Sequence, residues 1–179
     1  MDRIDERTSA IIKMYKKYLI NDDIKGFYLA LGRDSMIDNI DRNRIGAFLE
    51  ENGVEFEQYM DEIPQNFNYI PRRWCDGDTL VIPQGIRNIG MYGLQSKDHD
   101  MRSIRVVDAS YVSAIDAYAF CYPNKFRTLI LGTKLIGISL DALSLSNIQR
   151  VIVPKSMDDY TKSKVRGACA DVQAVLEEK

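Results

Sequence analysis

Apolar residues recur along the second half of the chain with a steady beat. Short apolar runs begin at Leu80, Ile104, Leu129 and Val151, which lie 24, 25 and 22 positions apart. Two further columns keep the register: Ile89, Ile115 and Ile138, and Leu94, Phe120 and Leu143, each spaced 26 and 23. Self-similarity at such a period is the pattern of stacked units, each burying its apolar face against its neighbours. Each unit is predicted to hold a short β segment, a turn, a second apolar anchor, and then an aromatic or leucine anchor with turn or helical character. Side chains alternate along a strand, so Leu80/Ile82, Ile104/Val106, Leu129/Leu131 and Val151/Val153 are expected to point to the core. Leu80, Ile104, Leu129 and Val151 are expected to stack on adjacent strands of one parallel sheet.

The first 62 residues carry a different period. Ala10, Ile11, Met14, Tyr15, Tyr18 and Leu19 step by three and four, which predicts one amphipathic helix from Glu6 to Ile20. Asn21-Asp22-Asp23 supplies an N-cap for a second helix carrying Ile24, Phe27, Tyr28 and Leu31, and Gly32 is the expected stop. A third helix is expected from Asn43 to Asn52, ended by Gly53, and a short turn holding Phe56, Tyr59 and Met60 follows. Residues 63–78 form a junction. Ile63 and Phe67 sit 26 and 27 residues before Ile89 and Leu94, as in a worn half-repeat. The tail from Ser156 to Glu178 is predicted to be helical, with Ser156 and Asp159 as a capping pair and Tyr160, Val165, Ala168, Val172, Val175 and Leu176 on one face. A stack of few units needs its open end covered, and this tail is the expected cap.

The repeat residues resemble a known family. Leu80-Val-Ile-Pro-Gln-Gly-Ile-Arg-Asn-Ile-Gly90 is similar to the unit of BspA-type leucine-rich repeats, and Ala117-Tyr-Ala-Phe120 to the segment that follows it. Val151-Ile-Val-Pro-Lys-Ser-Met-Asp-Asp-Tyr160 is similar to the closing strand and cap of such proteins. The resemblance covers residues 79–165 and implies an α+β chain in three parts: a helical domain at 1–62, BspA-type repeats forming a short leucine-rich-repeat solenoid at 63–155, and a helical C-terminal cap at 156–179. Tyr92-Gly-Leu94 and Asp141-Ala-Leu143 depart from the family pattern, as does Cys121, which follows Phe120 directly. A helical domain before a few such repeats also resembles small proteins encoded by tailed bacteriophages.

Composition narrows the function more than it names it. The 179 residues are 45% hydrophobic and 28% charged, an ordinary globular balance, with a net charge of −2. No lysine- or arginine-rich block marks a nucleic-acid footprint. The charged start, Asp2-Arg-Ile-Asp-Glu-Arg7, lacks the apolar centre of a signal peptide, and no run reaches the ~18 apolar residues of a membrane span. Three unpaired-looking cysteines, Cys75, Cys121 and Cys169, suit a reducing compartment, so a cytoplasmic address is expected.

Catalytic chemistry finds little purchase. The single histidine, His99, lies between Asp98 and Asp100 in what reads as a charged loop, and a metal site needs several convergent ligands. Gly85, Gly90 and Gly93 lack the spacing of a phosphate-binding loop and read as turn residues. Asp22-Asp23 reads as a helix cap. Cys75, next to Trp74, reads as packing, and Cys121 and Cys169 as core. Arg72-Arg73 could meet a phosphate or an acidic partner, but paired arginines usually form solvated surface. The expectation is therefore a non-enzyme with no catalytic residue, no cofactor and no bound metal.

One pattern exceeds ordinary surface. The residues predicted to face away from the core are Val81, Arg105, Ile130 and Ile152, with Thr79, Ser103, Thr128 and Arg150 beside them. Three of the first four are β-branched and apolar where a solvated sheet face would be polar. Such a stripe implies either a protein partner or cover by the terminal helix. The expected function is a protein–protein interaction module, binding or inhibiting a host protein if the phage resemblance holds. A self-associating, virion-associated component is the second reading, and an unrecognised small enzyme the third.

Overall fold

The computed structural model describes residues 5–95, 103–121 and 125–179. Five helices precede the sheets: α1 (Glu6–Met14), α2 (Lys16–Ile20), α3 (Ile24–Arg33), α4 (Asn39–Glu51) and α5 (Phe56–Tyr59). Short carboxylates start three of them. Asp5 accepts from the Thr8 N–H, Asp23 from the Gly26 N–H, and Asp38 forms a reciprocal capping box with Asp41. That box starts α4 four residues before the Asn43 expected from apolar spacing. The helix expected from Glu6 to Ile20 divides at Tyr15, whose hydroxyl donates to Asp34 at 2.6 Å. Gly32 does not end α3. It lies inside the helix, where a Cβ would sit 2.6 Å from the Gln65 carbonyl oxygen, so its role is close packing. The helices are held by an aromatic cluster: Tyr28 meets Phe27, Phe56 and Phe67 edge-to-face, with centroids 4.7–5.6 Å apart.

The remainder alternates between two sheets. β1 (Glu62–Ile63), β4 (Asn88–Ile89), β6 (Ala114–Ile115) and β8 (Gly137–Ile138) form a four-stranded parallel sheet in that order. A six-stranded mixed sheet runs β10-β9-β7-β5-β3-β2. It comprises β2 (Cys75–Asp76), β3 (Thr79–Val81), β5 (Val106–Ala109), β7 (Thr128–Leu131), β9 (Arg150–Val153) and β10 (Val175–Glu178). All its pairs are parallel except β2–β3. Register is regular in both: Ile63, Ile89, Ile115 and Ile138 pair in series, as do Leu80, Val107, Leu129, Val151 and Leu176. Leu80, Val107, Leu129 and Val151 are all 0% exposed, which sets the core between the sheets. α6 (Asp159–Val172) links β9 to β10 and packs against β8 and β10, with Val165 and Ala168 buried.

This architecture corrects the expected fold class. The chain is α/β, with two sheets and six α-helices among the described residues, and its sheet layout is unlike a leucine-rich-repeat solenoid with a helical cap. The positions read as a second anchor after a turn, Ile89, Ile115 and Ile138, are themselves strand residues of a second sheet. The antiparallel β2 makes the six-stranded sheet mixed rather than wholly parallel, and β10 adds a further parallel strand. Ile104 is also corrected. It is buried, but it precedes β5, and Val107 occupies its expected place between Leu80 and Leu129. The tail is not helical throughout. Asp158, not Ser156, caps α6 through the Thr161 N–H, Gln173 ends it in the left-handed conformation, and Val175 and Leu176 lie in β10. That strand satisfies β9: Val175 N–H donates to Gln149 at 2.8 Å and Lys179 N–H to Val153 at 3.0 Å.

Candidate functional site

The face of the six-stranded sheet turned away from the core carries the predicted stripe, with one substitution. Val81, Asp108, Ile130, Ile152 and Glu177 pair in series across five strands. Thr79, Val106, Thr128, Arg150 and Val175 form the neighbouring column. Val81, Ile130 and Ile152 therefore share a column, whereas Arg105 lies before β5 and donates its N–H to Asp78 at 2.7 Å. The error has one cause. Sliding from Ile104 to Val107 is a shift of three, and an odd shift exchanges the two faces of a strand. Asp108 and Val106 replace Arg105 and Ser103. A signal for them existed: Val151 and Leu129 are 22 apart, and a further 22 back from Leu129 is Val107.

The face is apolar at its centre and polar at its flanks. Val81 is 39% exposed, while Val106, Ile130 and Ile152 are half-buried. Asp108 accepts from both the N–H and the hydroxyl of Ser110, so its carboxylate is already engaged. Arg150 holds Glu177 by two bonds of 2.8 and 2.9 Å. The bonds from Arg150 keep the Glu177 pKa below its usual value, against the opposing effect of burial. α6 packs on β8 and β10. The face presents a β-branched centre bordered by charged groups that are already hydrogen-bonded.

No family model, curated protein or solved structure matches the chain.

A second feature lies where the helices meet the junction. The Arg72–Trp74 segment forms a 3₁₀ turn beside α4. Ala47, Glu50, Glu51, Tyr69, Arg72 and Arg73 line a cavity of about 310 Å³ there. Arg73 is more than solvated surface: its Nε meets Glu57 Oε1 at 2.9 Å, and the Trp74 indole donates to the same carboxylate at 3.0 Å. Burial works to raise the Glu57 pKa, but the bonds from Arg73 and Trp74 hold it below its usual value. Tyr69 donates its hydroxyl to Glu50, and the Arg72 N–H reaches the same Oε2 at 3.4 Å. Burial, reinforced by Glu50, pushes the Tyr69, Tyr28 and Cys75 pKa values up. Sequence reasoning singled out Arg72, Arg73 and Cys75 but not Glu50 or Tyr69, which stand 19 residues apart without shared periodicity.

Among the described residues, no group of three or more His, Cys, Asp or Glu side chains is placed to hold a metal ion. His99, Asp98 and Asp100 lie outside the described residues. No described helix is long and apolar enough to cross a membrane.

Proposed function

We propose that this chain is a non-enzymatic protein-binding module that seats a partner on the outer face of its six-stranded sheet. The supporting observation is the adjacent, half-exposed pair Ile130–Ile152, extended by Val81 and Val106 and bordered by Asp108 and the Arg150–Glu177 pair. Apolar centres with polar rims are the anatomy of interfaces. The net charge of −2 favours a protein over a nucleic acid as partner. The reading includes a cytoplasmic address, supported by three free cysteines, and a host protein as the partner of a phage-encoded chain.

Ile130→Asp tests it. The side chain is half-exposed, so the folded state accommodates the carboxylate, while a complex would bury it without a partner. The expected outcome is an unchanged melting curve with affinity for the captured partner reduced at least about tenfold, ~1.4 kcal/mol. Unchanged stability with unchanged affinity would remove the face from consideration.

Self-association is the alternative, and one observation favours it. β10 is an edge strand with one side unpaired, and it carries Val175 at 59% exposure. Sedimentation at micromolar concentration separates the two: a monomer supports the partner reading, and a reversible dimer abolished by Val175→Lys supports self-association.

A further inference from the structure

We infer that the partner lays an amphipathic α-helix across the outer face of the six-stranded sheet, with one basic residue of its apolar stripe on Asp108. The inference rests on the contact face proposed above and names what that face takes. Leu80-Val-Ile82, Leu129-Ile-Leu131 and Val151-Ile-Val153 are unbroken apolar runs rather than alternations of apolar and polar. Parallel strands that read this way ordinarily carry helices over both faces, and here the core takes one face. On the other, Val81, Asp108, Ile130 and Ile152 stand one per strand along a single row. Neighbouring strands lie about 4.8 Å apart, so the row steps by that distance. A helix rises about 1.5 Å per residue, and its apolar stripe steps by three and four residues, roughly 4.5 and 6 Å. Positions i, i+3, i+7 and i+10 therefore keep pace with all four strands. An extended segment steps by about 6.6 Å between side chains on one face and loses the row by the second strand.

Asp108 sets the charge of the guest. It stands between Val81 and Ile130 in the row and is half-buried. Ser110 donates its N–H and its hydroxyl to one oxygen of that carboxylate, Oδ1. Both donors are neutral, so they orient the group without neutralising it. Oδ2 receives no donor from a described residue, and an ionised carboxylate has room for about four. The turn that carries Ser110 is fixed from the next strand. A Cβ at Gly132 would collide with the Ser110 carbonyl oxygen, so only glycine lets the end of β7 approach it. At the far end of the face, Arg150 and Glu177 neutralise each other. The row thus holds a carboxylate that no described cation meets, set among apolar neighbours. A lysine or arginine at the matching helix position pairs with Oδ2 as the flanking apolar contacts exclude water. An acidic residue there would be buried against a like charge and is rejected.

The test is fluorescence anisotropy of the full chain with labelled, alanine-based helical peptides. One carries leucines at i, i+7 and i+10 with arginine at i+3. Another carries leucines at i, i+3 and i+10 with arginine at i+7, which covers the opposite direction along the row. Each has a twin with glutamine in place of the arginine. One arginine peptide should bind at least about tenfold more tightly than its glutamine twin. Asp108→Asn keeps an oxygen for the Ser110 donors and removes the charge, so it should abolish that preference with no shift in melting temperature. If that variant unfolds, the twins on the unaltered chain still decide. Ile130→Asp should abolish binding of both twins. Absence of binding by every peptide, equal binding of the twins, or a preference that survives Asp108→Asn would overturn the inference. Equal binding that Ile130→Asp still removes would do so while leaving the contact face in place. Binding that Ile130→Asp leaves unchanged would reject the face along with it.

Discussion

Leu129 and Ile130 are neighbours in β7 with opposite fates, and their alanine variants should behave oppositely. Leu129 is 0% exposed and sits in register between Val107 and Val151, with strands on both sides. The flanking ladders hold the backbone in place, so the space left by truncation collapses poorly. Leu129→Ala should therefore cost about 3–5 kcal/mol, the upper part of the range for buried leucine. For 179 residues, an unfolding entropy near 2.1 cal/mol/K per residue gives roughly 0.38 kcal/mol/K. The melting temperature should fall by about 8–13 °C. Ile130 points the other way and is half-exposed, so Ile130→Ala should cost no more than about 1 kcal/mol, mainly in strand propensity. The assay is paired urea and thermal melts of the two variants, checked for an unchanged m-value. Equal losses, or a larger loss for Ile130→Ala, would refute the assignment of faces on which the proposed contact surface rests.

Three further outcomes follow from the same structure. Removing residues after Ser156 deletes α6 and β10, strips β9 of one of its two partners and uncovers Val153 and Leu143, so the truncated chain should aggregate; a monomer with unchanged melting would show that α6 and β10 protect nothing. Burial raises the thiol pKa values of Cys121 and Cys169, the latter to about 11, so neither should react with a thiol reagent at neutral pH until denaturant is added; rapid labelling of Cys169 in the native protein would place it outside the core. Glu177 and Glu178 have lowered pKa values, through bonds from Arg150 and from Lys162 respectively, so they favour the folded state above the ordinary carboxylate value near 4.3 and lose that effect as pH falls through their folded values. Amide exchange in β10 should accelerate relative to β7 below about pH 4, and equal protection of the two strands there would contradict this.

Local order was legible where one residue type settled it. Each strand of the four-stranded sheet offers a single inward isoleucine, so the spacing of Ile63, Ile89, Ile115 and Ile138 leaves no rival register. That these isoleucines build a second sheet was not legible, because a two-residue strand looks the same as a turn anchor in sequence. At Ile104-Arg-Val-Val107 three apolar residues compete, and only the partners Leu80 and Leu129 decide which is inward. The tail misleads for a related reason. Val175-Leu-Glu-Glu178 suits a helix locally, but the open edge of β9 supplies hydrogen bonds that a helix would leave unmade. The Tyr69 cavity joins α4 to the turn at Arg72 across a sequence gap that no periodicity spans, and its only sequence trace is Gly46 in mid-helix, a position where glycine is otherwise unfavourable.

The most direct measurement of the central claim is site-specific photo-crosslinking. A photoreactive amino acid placed at Ile152 lies on the outer face of the six-stranded sheet, and one placed at Asn88 lies on an exposed position of the four-stranded sheet. In cell lysate the account predicts one discrete protein adduct from position 152, lost when Ile130→Asp is combined with it, and none from position 88. Equal adducts from both positions, an adduct from position 88 alone, or adducts only between copies of the chain would contradict the claim that this face binds a partner.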